Sequence, residues 1–304
     1  MLRRVGCEYD WRPVAPRANL MPPRRTIKKE TAAEGVALHA GTQVRMILAP
    51  AAPEVGVVFR RADLDGAEIP ARYDHVSQTN LGTMMETRTA RIGVVEHLMA
   101  AVAGAGIDDL LVIVDGPELP ILDGDALAFL ELLDKAGAKD QPVARQAIKV
   151  LNRVEVTHQD GRAALIPASA PVYHFEIDFP SAAIGRQVLS FAFTPEGFRR
   201  EIAPARTFGD LSQLEALKRM DRGHGASLHN TLAIDGDRVL NADLMRFPDE
   251  FVRHKILDAI GDMALAGAPL IARFEGRRSG HALNNALLRA LFVDPANYRW
   301  ITPP

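Results

Sequence analysis

The feature that most constrains the fold is a pattern that occurs twice along the chain. Several strand-like segments lead into a helical segment rich in alanine and closed by glycine, residues 96–106 in the first half and 258–267 in the second. Each is followed by a short apolar strand, Leu110–Val114 or Leu270–Phe274, and then by another helix. Because amphipathic helices bury their apolar faces against a sheet, the repeat predicts an α+β fold of two similar domains, each a β-sheet covered by a pair of helices. We expect the helix layers to face each other across an active-site cleft.

The domain boundaries follow from this repeat and from local composition. A chain of 304 residues has room for two domains of ordinary size. Residues 1–25 are rich in arginine and proline and lack the apolar stretch of a secretory signal, which predicts a disordered or extended tail. Residues 138–145 form a polar, proline-containing connector. The first domain is therefore predicted to span residues 26–144 and the second residues 145–304.

A polar stripe runs along an otherwise apolar helix, which is predicted over residues 250–267. His254, Asp258 and Asp262 are spaced four residues apart, so the helical period places them on one face, about 6 Å per step. One explanation is an i,i+4 ion pair between His254 and Asp258, which stabilises a helix by roughly a few tenths of a kcal/mol. The other is that an imidazole and a carboxylate one turn apart chelate a divalent cation, which then needs a third protein ligand.

Glu96 and His97 open the predicted helix of the first half. Adjacent residues do not share a helical face, so this pair suits two roles at one site better than a mutual ion pair. The alternative is that Glu96 only favours the helix dipole and that His97 is a hydrogen-bonded core residue.

Together, His97, His254 and Asp258 would supply two imidazoles and one carboxylate and would leave a fourth position open. That is the ligand set of a catalytic zinc, and iron(II) also suits such ligands. Glu96 is then predicted to be the general base that activates water. The single cysteine, Cys7, excludes a cysteine-based zinc site and any disulfide within the chain.

His281 and Asp262 complete the predicted machinery. His281 follows Gly280 at a predicted helix start and is a candidate for the cation or general acid near a leaving group. Asp262 lies one turn beyond Asp258 and is a candidate for the carboxylate that orients this histidine. The combined set predicts metal-assisted hydrolysis.

Charge and hydropathy limit the partners. The net charge of −2 gives no general attraction to nucleic acid or to an anionic membrane surface. Apolar runs such as Met99–Ala105 are far too short to span a bilayer, so no membrane span is predicted and a cytoplasmic location is expected. No large apolar stripe is left without a role, which predicts a monomer acting on a small-molecule substrate.

Five segments resemble those of one enzyme family, in the same order and with similar spacing: Val95–Leu98, Pro117–Gly124, Ala205–Gly209, Asp249–Asp262 and Gly280–Asn284. The family is the zinc-dependent UDP-3-O-acyl-N-acetylglucosamine deacetylase of lipid A biosynthesis, and the resemblance runs from about Thr26 to the C-terminus. It implies hydrolysis of the N-acetyl group of UDP-3-O-(3-hydroxyacyl)-N-acetylglucosamine to the free amine and acetate. It also implies the cytoplasm of a Gram-negative bacterium as the location.

The resemblance implies the same metal ligands, base and acid as the spacing, and it adds three further site residues. It implies that Thr207 hydrogen-bonds the developing oxyanion and that Lys255 and Phe208 contact the substrate. It further implies a hydrophobic passage for the acyl chain. The candidates for its lining are Leu211, Leu214 and Leu217. Ordinary helix packing explains the spacing of these leucines equally well.

Two positions depart from the family pattern. Ala40 stands where the family usually has threonine or serine, and Asp125 stands where it usually has serine. His39 is interpreted as structural, whereas His224 and His229 flank a glycine loop near the expected substrate region. Two alternative functions stay open at this point. One is a related metal hydrolase with a different amide substrate, and the other is a non-catalytic binding protein that has lost a ligand or the base.

Overall fold

The computed structural model describes residues 22–302. Within them, the first half is built, in chain order, from β1 (Pro23–Ile27), β2 (Thr31–Val36), β3 (Gln43–Pro50), β4 (Val57–Arg61), β5 (Ala67–Pro70), β6 (Val76–Gln78), β7 (Met84–Glu86), β8 (Arg91–Ile92), α1 (Glu96–Ala105), β9 (Leu110–Val114), α2 (Leu127–Ala136) and β10 (Ala138–Ala144). The second half follows with β11 (Ala147–Val150), β12 (Val154–His158), β13 (Gly161–Pro167), β14 (Val172–Asp178), β15 (Arg186–Ala192), α3 (Pro195–Gly197), β16 (Phe208–Asp210), α4 (Leu214–Arg219), β17 (Leu232–Asp235), β18 (Arg238–Val239), α5 (Glu250–Ala264), β19 (Leu270–Arg277), α6 (His281–Val293) and β20 (Tyr298–Ile301). None of the helices in this part of the chain is long and apolar enough to cross a bilayer.

The main sheet of the first half has five strands in the order β2-β3-β9-β4-β5. The apolar strand β9 lies at its centre, antiparallel to β3 and parallel to β4. Helix α1 comes before β9 and helix α2 after it, as the repeat predicts. Helix α1 ends at Gly106, whose φ of 64° is the left-handed conformation that closes many helices.

The second half repeats this order around β19. In a seven-stranded sheet, β19 pairs antiparallel with β13 and parallel with both β11 and β14. Helix α5 comes before β19 and helix α6 after it. The predicted repeat of elements in the two halves is therefore present in the structure, and the α+β prediction is confirmed.

The two helix layers meet where α1 crosses α5. The crossing is so close that a Cβ atom added to Gly261 would lie 2.0 Å from the backbone oxygen of Glu96. Only a glycine fits there, because any side chain would push the two helices apart. This contact brings the start of α1 against the middle of α5, where the polar stripe runs.

Residues near the predicted boundaries differ from expectation. Residues 138–144 are strand β10 rather than a connector, and they pair antiparallel with β1. Because β1 begins at Pro23, residues 23–25 of the predicted tail belong to this ribbon, whereas residues 1–21 lie outside the described residues. The polar composition of β10 is misleading because most of its side chains face solvent. Its buried Gln141 donates a hydrogen bond to the Ala51 carbonyl over 3.0 Å.

Candidate active site

The polar residues predicted from the two halves lie together where α1 meets α5. His97 is in the first turn of α1, and His254 and Asp258 lie one turn apart on α5. Nε2 of His254 lies 3.4 Å from Oδ1 of Asp258, and Nε2 of His97 lies 3.7 Å from the same oxygen. All three side chains are buried. The i,i+4 spacing on α5 therefore forms more than a surface ion pair.

His254 is held in place by the backbone of another segment. Its Nδ1 lies 3.0 Å from the carbonyl oxygen of Ala205, which can only accept, so Nδ1 carries the proton. Nε2 then keeps its lone pair and faces Asp258. On the other side, Oδ2 of Asp258 accepts a hydrogen bond from Nζ of Lys255 over 2.7 Å.

This cluster fits a divalent cation. Each of His97, His254 and Asp258 offers one ligand atom, and these atoms all lie within 4.8 Å of one another. Oδ1 of Asp258 is buried between the two imidazoles and has no hydrogen-bond partner among the described residues, which is costly unless a cation binds there. Burial, followed by the nearby His254, lowers the pKa of His97 to about 3, and burial also lowers the pKa of His254. Both imidazoles are therefore neutral and able to bind a metal.

Glu96 lies beside the cluster with its carboxylate directed by a loop. Oε2 accepts a hydrogen bond from the backbone N–H of Thr83 over 3.0 Å. The preceding Gly82, at φ 141°, has its Cβ position only 3.0 Å from Oε1, so a side chain there would crowd the carboxylate. Burial raises the pKa of Glu96 to about 7, against the opposing effect of His281. A carboxylate with this pKa can accept a proton near neutral pH.

Asp262 connects Thr83, the residue that holds Glu96, to His281. Its Oδ2 accepts from Nδ1 of His281 and from Nδ2 of Asn284, each over 2.8 Å. Its Oδ1 accepts from the hydroxyl of Thr83 over 2.7 Å. Nε2 of His281 is left facing the site, 3.9 Å from Oε1 of Glu96. Burial alone would lower the pKa of His281, but Asp262 and Glu96 raise it to about 9.

Two residues of this network were missed in the sequence. Asn284 lies three residues after His281, so both can reach Asp262 from one face of α6, and this spacing is a signal that was available. Thr83 lies in a polar stretch without periodicity, and nothing in the sequence distinguishes it from its neighbours. Its two contacts depend on the loop between β6 and β7 reaching across to α5.

The segment that follows Ala205 carries the other two predicted residues. The backbone N–H of Thr207 donates to the Gly124 carbonyl over 2.8 Å, which fixes this segment against the first half. The ring of Phe208 lies 6.1 Å from the His254 ring and 5.0 Å from the Phe251 ring, measured between centroids. Phe208 is therefore a neighbour of the metal cluster, and Thr207 follows the carbonyl that holds His254.

A cleft of about 390 Å³ opens beside Lys255. The aromatic ring of Phe179 and the guanidinium of Arg278 also line it. Arg278 forms ion pairs with Asp160 and Asp178, which hold the side chain at the wall of the cleft. The cleft thus combines an aromatic surface with two cations, Lys255 and Arg278, and with the two carboxylates that pair with Arg278.

The remaining predicted positions lie around this centre. The ring of His39 contacts the Leu81 carbonyl over 2.9 Å, just before the loop that supports Glu96. His224 is hydrogen-bonded through Nε2 of its ring to Oδ1 of Asp221 over 2.8 Å. Leu211 is exposed and Leu217 half-buried, while the side chain of Leu214 lies outside the described part of the structure.

Comparison with known proteins agrees with this geometry. The family model for LpxC, UDP-3-O-acyl N-acetylglycosamine deacetylase, matches residues 24–293. A UDP-3-O-acyl-N-acetylglucosamine deacetylase from Phenylobacterium zucineum (strain HLK1) is 46% identical over 279 residues, 91% of this chain and 95% of that protein. The same enzyme from Myxococcus xanthus (strain DK1622) is 44% identical over 276 residues, 90% of this chain and 88% of that protein. That from Stenotrophomonas maltophilia (strain R551-3) is 43% identical over 284 residues, 92% of this chain and 93% of that protein.

The match covers both halves and every segment that builds the site, and no predicted ligand, base or acid is missing from residues 22–302. The alternative of a binding protein that has lost a catalytic group is therefore not supported. On this evidence the chain belongs to the UDP-3-O-acyl-N-acetylglucosamine deacetylase family, whose members are the hydrolytic enzymes of the deacetylation step in lipid A biosynthesis.

Proposed function

We propose that His97, His254 and Asp258 hold a zinc ion at which the N-acetyl group of UDP-3-O-(3-hydroxyacyl)-N-acetylglucosamine is hydrolysed to acetate and the free amine. The observation that carries this is the buried, unpartnered Oδ1 of Asp258 between two neutral imidazoles. Three ligands with one open position are typical of catalytic zinc, and iron(II) is the alternative on the same donors. When bound, such a cation polarises the amide carbonyl and makes a water molecule more acidic.

Glu96 is the general base in this proposal. It accepts a proton from the attacking water, whose oxygen forms the new bond to the carbonyl carbon. The Thr83 backbone N–H keeps the carboxylate oriented, and the raised pKa matches a base that works near neutrality. Thr207 donates a hydrogen bond to the oxygen that becomes negatively charged.

His281 is the general acid. The carbon–nitrogen bond breaks as the nitrogen receives a proton, and acetate and the amine are released. The raised pKa keeps His281 protonated at neutral pH, and Asp262 holds its Nδ1 so that Nε2 points into the site. Both pKa values are thus raised, that of the base to about 7 and that of the acid to about 9, so near neutral pH Glu96 can accept a proton while His281 still has one to donate.

Substrate binding follows from the chemistry of the cleft. Lys255 and Arg278 offer positive charge to the diphosphate, and the Phe179 ring offers a surface for the base. Phe208, beside His254, contacts the sugar end near the acetyl group. Leu211, Leu214 and Leu217 remain our candidates for contacts to the acyl chain.

We also propose a cytoplasmic monomer with domains at residues 26–144 and 145–304. The ribbon of β1 and β10 ends at Ala144, and β11, from Ala147, already belongs to the seven-stranded sheet. Sedimentation at two protein concentrations tests the monomer, because a self-associating chain would sediment faster at the higher concentration.

Metal content and deacetylation, measured on the same samples, test the proposed site. About one zinc per chain is expected in the wild type, with metal and activity both lost in His254→Ala. Glu96→Ala should keep the metal and lose activity by a factor of about 10² or more. Metal that is unchanged in His254→Ala, or full activity in Glu96→Ala, would refute the assigned roles.

A further inference from the structure

Asp125 is a buried carboxylate that the mechanism does not use. It is 1% exposed and lies just before helix α2, where its Oδ1 accepts a hydrogen bond from the Ala128 N–H over 3.2 Å. Its Oδ2 is hydrogen-bonded to Nη1 of Arg246, which comes from the other half of the chain. A buried carboxylate needs such a partner, and a serine at this position would leave the guanidinium without a counter-charge.

Arg246 uses the same nitrogen for a second contact, to the Pro204 carbonyl over 2.6 Å. Its backbone N–H donates to Oε2 of Glu250 over 2.6 Å, and the other oxygen of Glu250 accepts from the backbone N and from Nε of Arg206, each over 3.0 Å. Two buried acids, Asp125 and Glu250, and two arginines, Arg206 and Arg246, are therefore hydrogen-bonded in a chain along one short stretch of backbone, residues 203–207.

Residues 203–207 are also held by the first half directly. The Ala203 carbonyl accepts from the N–H groups of Ala126 and Leu127, each over 3.0 Å. The Thr207 N–H donates to the Gly124 carbonyl over 2.8 Å. A Cβ atom on Gly124 would lie 3.3 Å from the Thr207 side chain, so the two segments are in close contact.

Residues 203–207 in turn hold residues of the active site in place. The carbonyl of Ala205, one residue after the Arg246 contact, accepts the hydrogen bond from Nδ1 of His254. Groups that orient a metal-binding histidine in this way affect metal affinity, because they fix the tautomer and the ring direction. Thr207 lies two residues after Ala205 along the chain.

We propose that Asp125 and Arg246 are positioning residues of the deacetylase site: their ion pair fastens residues 203–207 to the loop before α2 and thereby sets His254 and Thr207. The inference rests on the roles proposed above for those two residues. It assigns a role to Asp125, a position at which the resemblance led us to expect serine.

The test uses Asp125→Asn, Arg246→Gln and the double variant in the full-length protein. A matched control is Asp108→Asn, which removes another carboxylate from an ion pair, with Arg145 over 2.8 Å, at the far end of α1 from the site; the Asp108 side chain is 6% exposed. Zinc affinity is measured by competition with a chelator, together with kcat, KM and Tm. Zinc affinity reports on His254 without any contribution from the chemical step.

Each single variant should weaken zinc binding and lower kcat by roughly tenfold, with KM changed much less. The double variant should resemble the singles, because either change already breaks the ion pair. Arg246→Lys, which keeps the charge, should recover part of both losses. The control should lose Tm only.

Equal zinc affinity and equal kcat in wild type, Asp125→Asn and Arg246→Gln, with only Tm reduced as in the control, would overturn the proposal. His254→Ala and Thr207→Ala, assayed in parallel, separate this failure from a wrong site assignment. If His254→Ala kept zinc and activity, or if Thr207→Ala kept full activity, the proposed roles would fail first.

Discussion

Asp262 shows at the scale of one residue how a single side chain orients several groups of the site. Its two oxygens accept three hydrogen bonds, from Thr83, His281 and Asn284, and the residue is buried. Asp262 accepts from Nδ1 of His281 and, together with Glu96, raises the pKa of that imidazole to about 9, which keeps His281 protonated at neutral pH. Thr83 contributes to both sides of the reaction, since its N–H also holds Glu96.

Replacing Thr83 by valine tests this connection. The change keeps the shape of the side chain and the backbone N–H to Glu96, but it removes the hydroxyl donor to Asp262. We expect kcat to fall by roughly tenfold, the lower end of the effect seen for groups that orient active-site residues. Thr83→Ser should retain most of the activity, and a valine variant with wild-type kcat would contradict the prediction.

The pH profile follows from the raised pKa values of Glu96 and His281. Glu96 must be ionised, so the rate rises as pH increases through its pKa of about 7. His281 must be protonated, so the rate falls as pH passes its pKa of about 9. A bound dication favours the less positive form of both groups, which places both limbs at or below these values. In kcat/KM measured against pH, His281→Asn should remove the alkaline limb, and a flat wild-type profile would exclude both roles.

At the scale of elements, the crossing of α1 and α5 depends on a position without a side chain. Gly261→Ala would place a methyl group 2.0 Å from the Glu96 carbonyl oxygen, and neither buried helix can move without disturbing the metal ligands. We expect a loss of about 3 kcal/mol or more in unfolding free energy, measured in denaturant, and a large loss of activity. Gly209→Ala is a control, because its new Cβ meets only one atom, at 4.0 Å. If Gly261→Ala were as stable as that control, the close crossing would be disproved.

Elements with a strong local pattern were predictable, and those that depend on distant pairing were not. Helix α5 was expected over residues 250–267 and spans Glu250–Ala264, because its apolar period and closing glycine are local signals. Strand β10 was missed because a polar ribbon exposes most of its side chains and has no apolar alternation. Likewise, spacing along α5 identified His254 and Asp258, and the chemistry of a metal site predicted His97 as the third ligand, but only the fold shows how the two halves bring the three together.

At the scale of the whole molecule, the proposed metal connects the two halves. His97 belongs to the first half, and His254 and Asp258 belong to the second. A ligand that binds only the folded state stabilises it, and a metal at 100 times its Kd adds about 2.7 kcal/mol to the free energy of unfolding. Removing the metal should therefore lower Tm by several degrees. Calorimetry with and without a chelator measures this. His254→Ala should not respond to the chelator, and an equal response would place the metal elsewhere.

The division of the site between the halves also affects how activity arises during protein synthesis. The ribosome releases Glu96 and His97 first, together with Thr83, whose N–H holds Glu96, whereas His254 and Asp258 on α5 and then His281 on α6 emerge later. Domains made early can fold before the rest of the chain exists. A nascent chain arrested before His281 would therefore contain the base and all three predicted metal ligands but lack the proposed acid, and hydrolysis would begin only once α6 had docked.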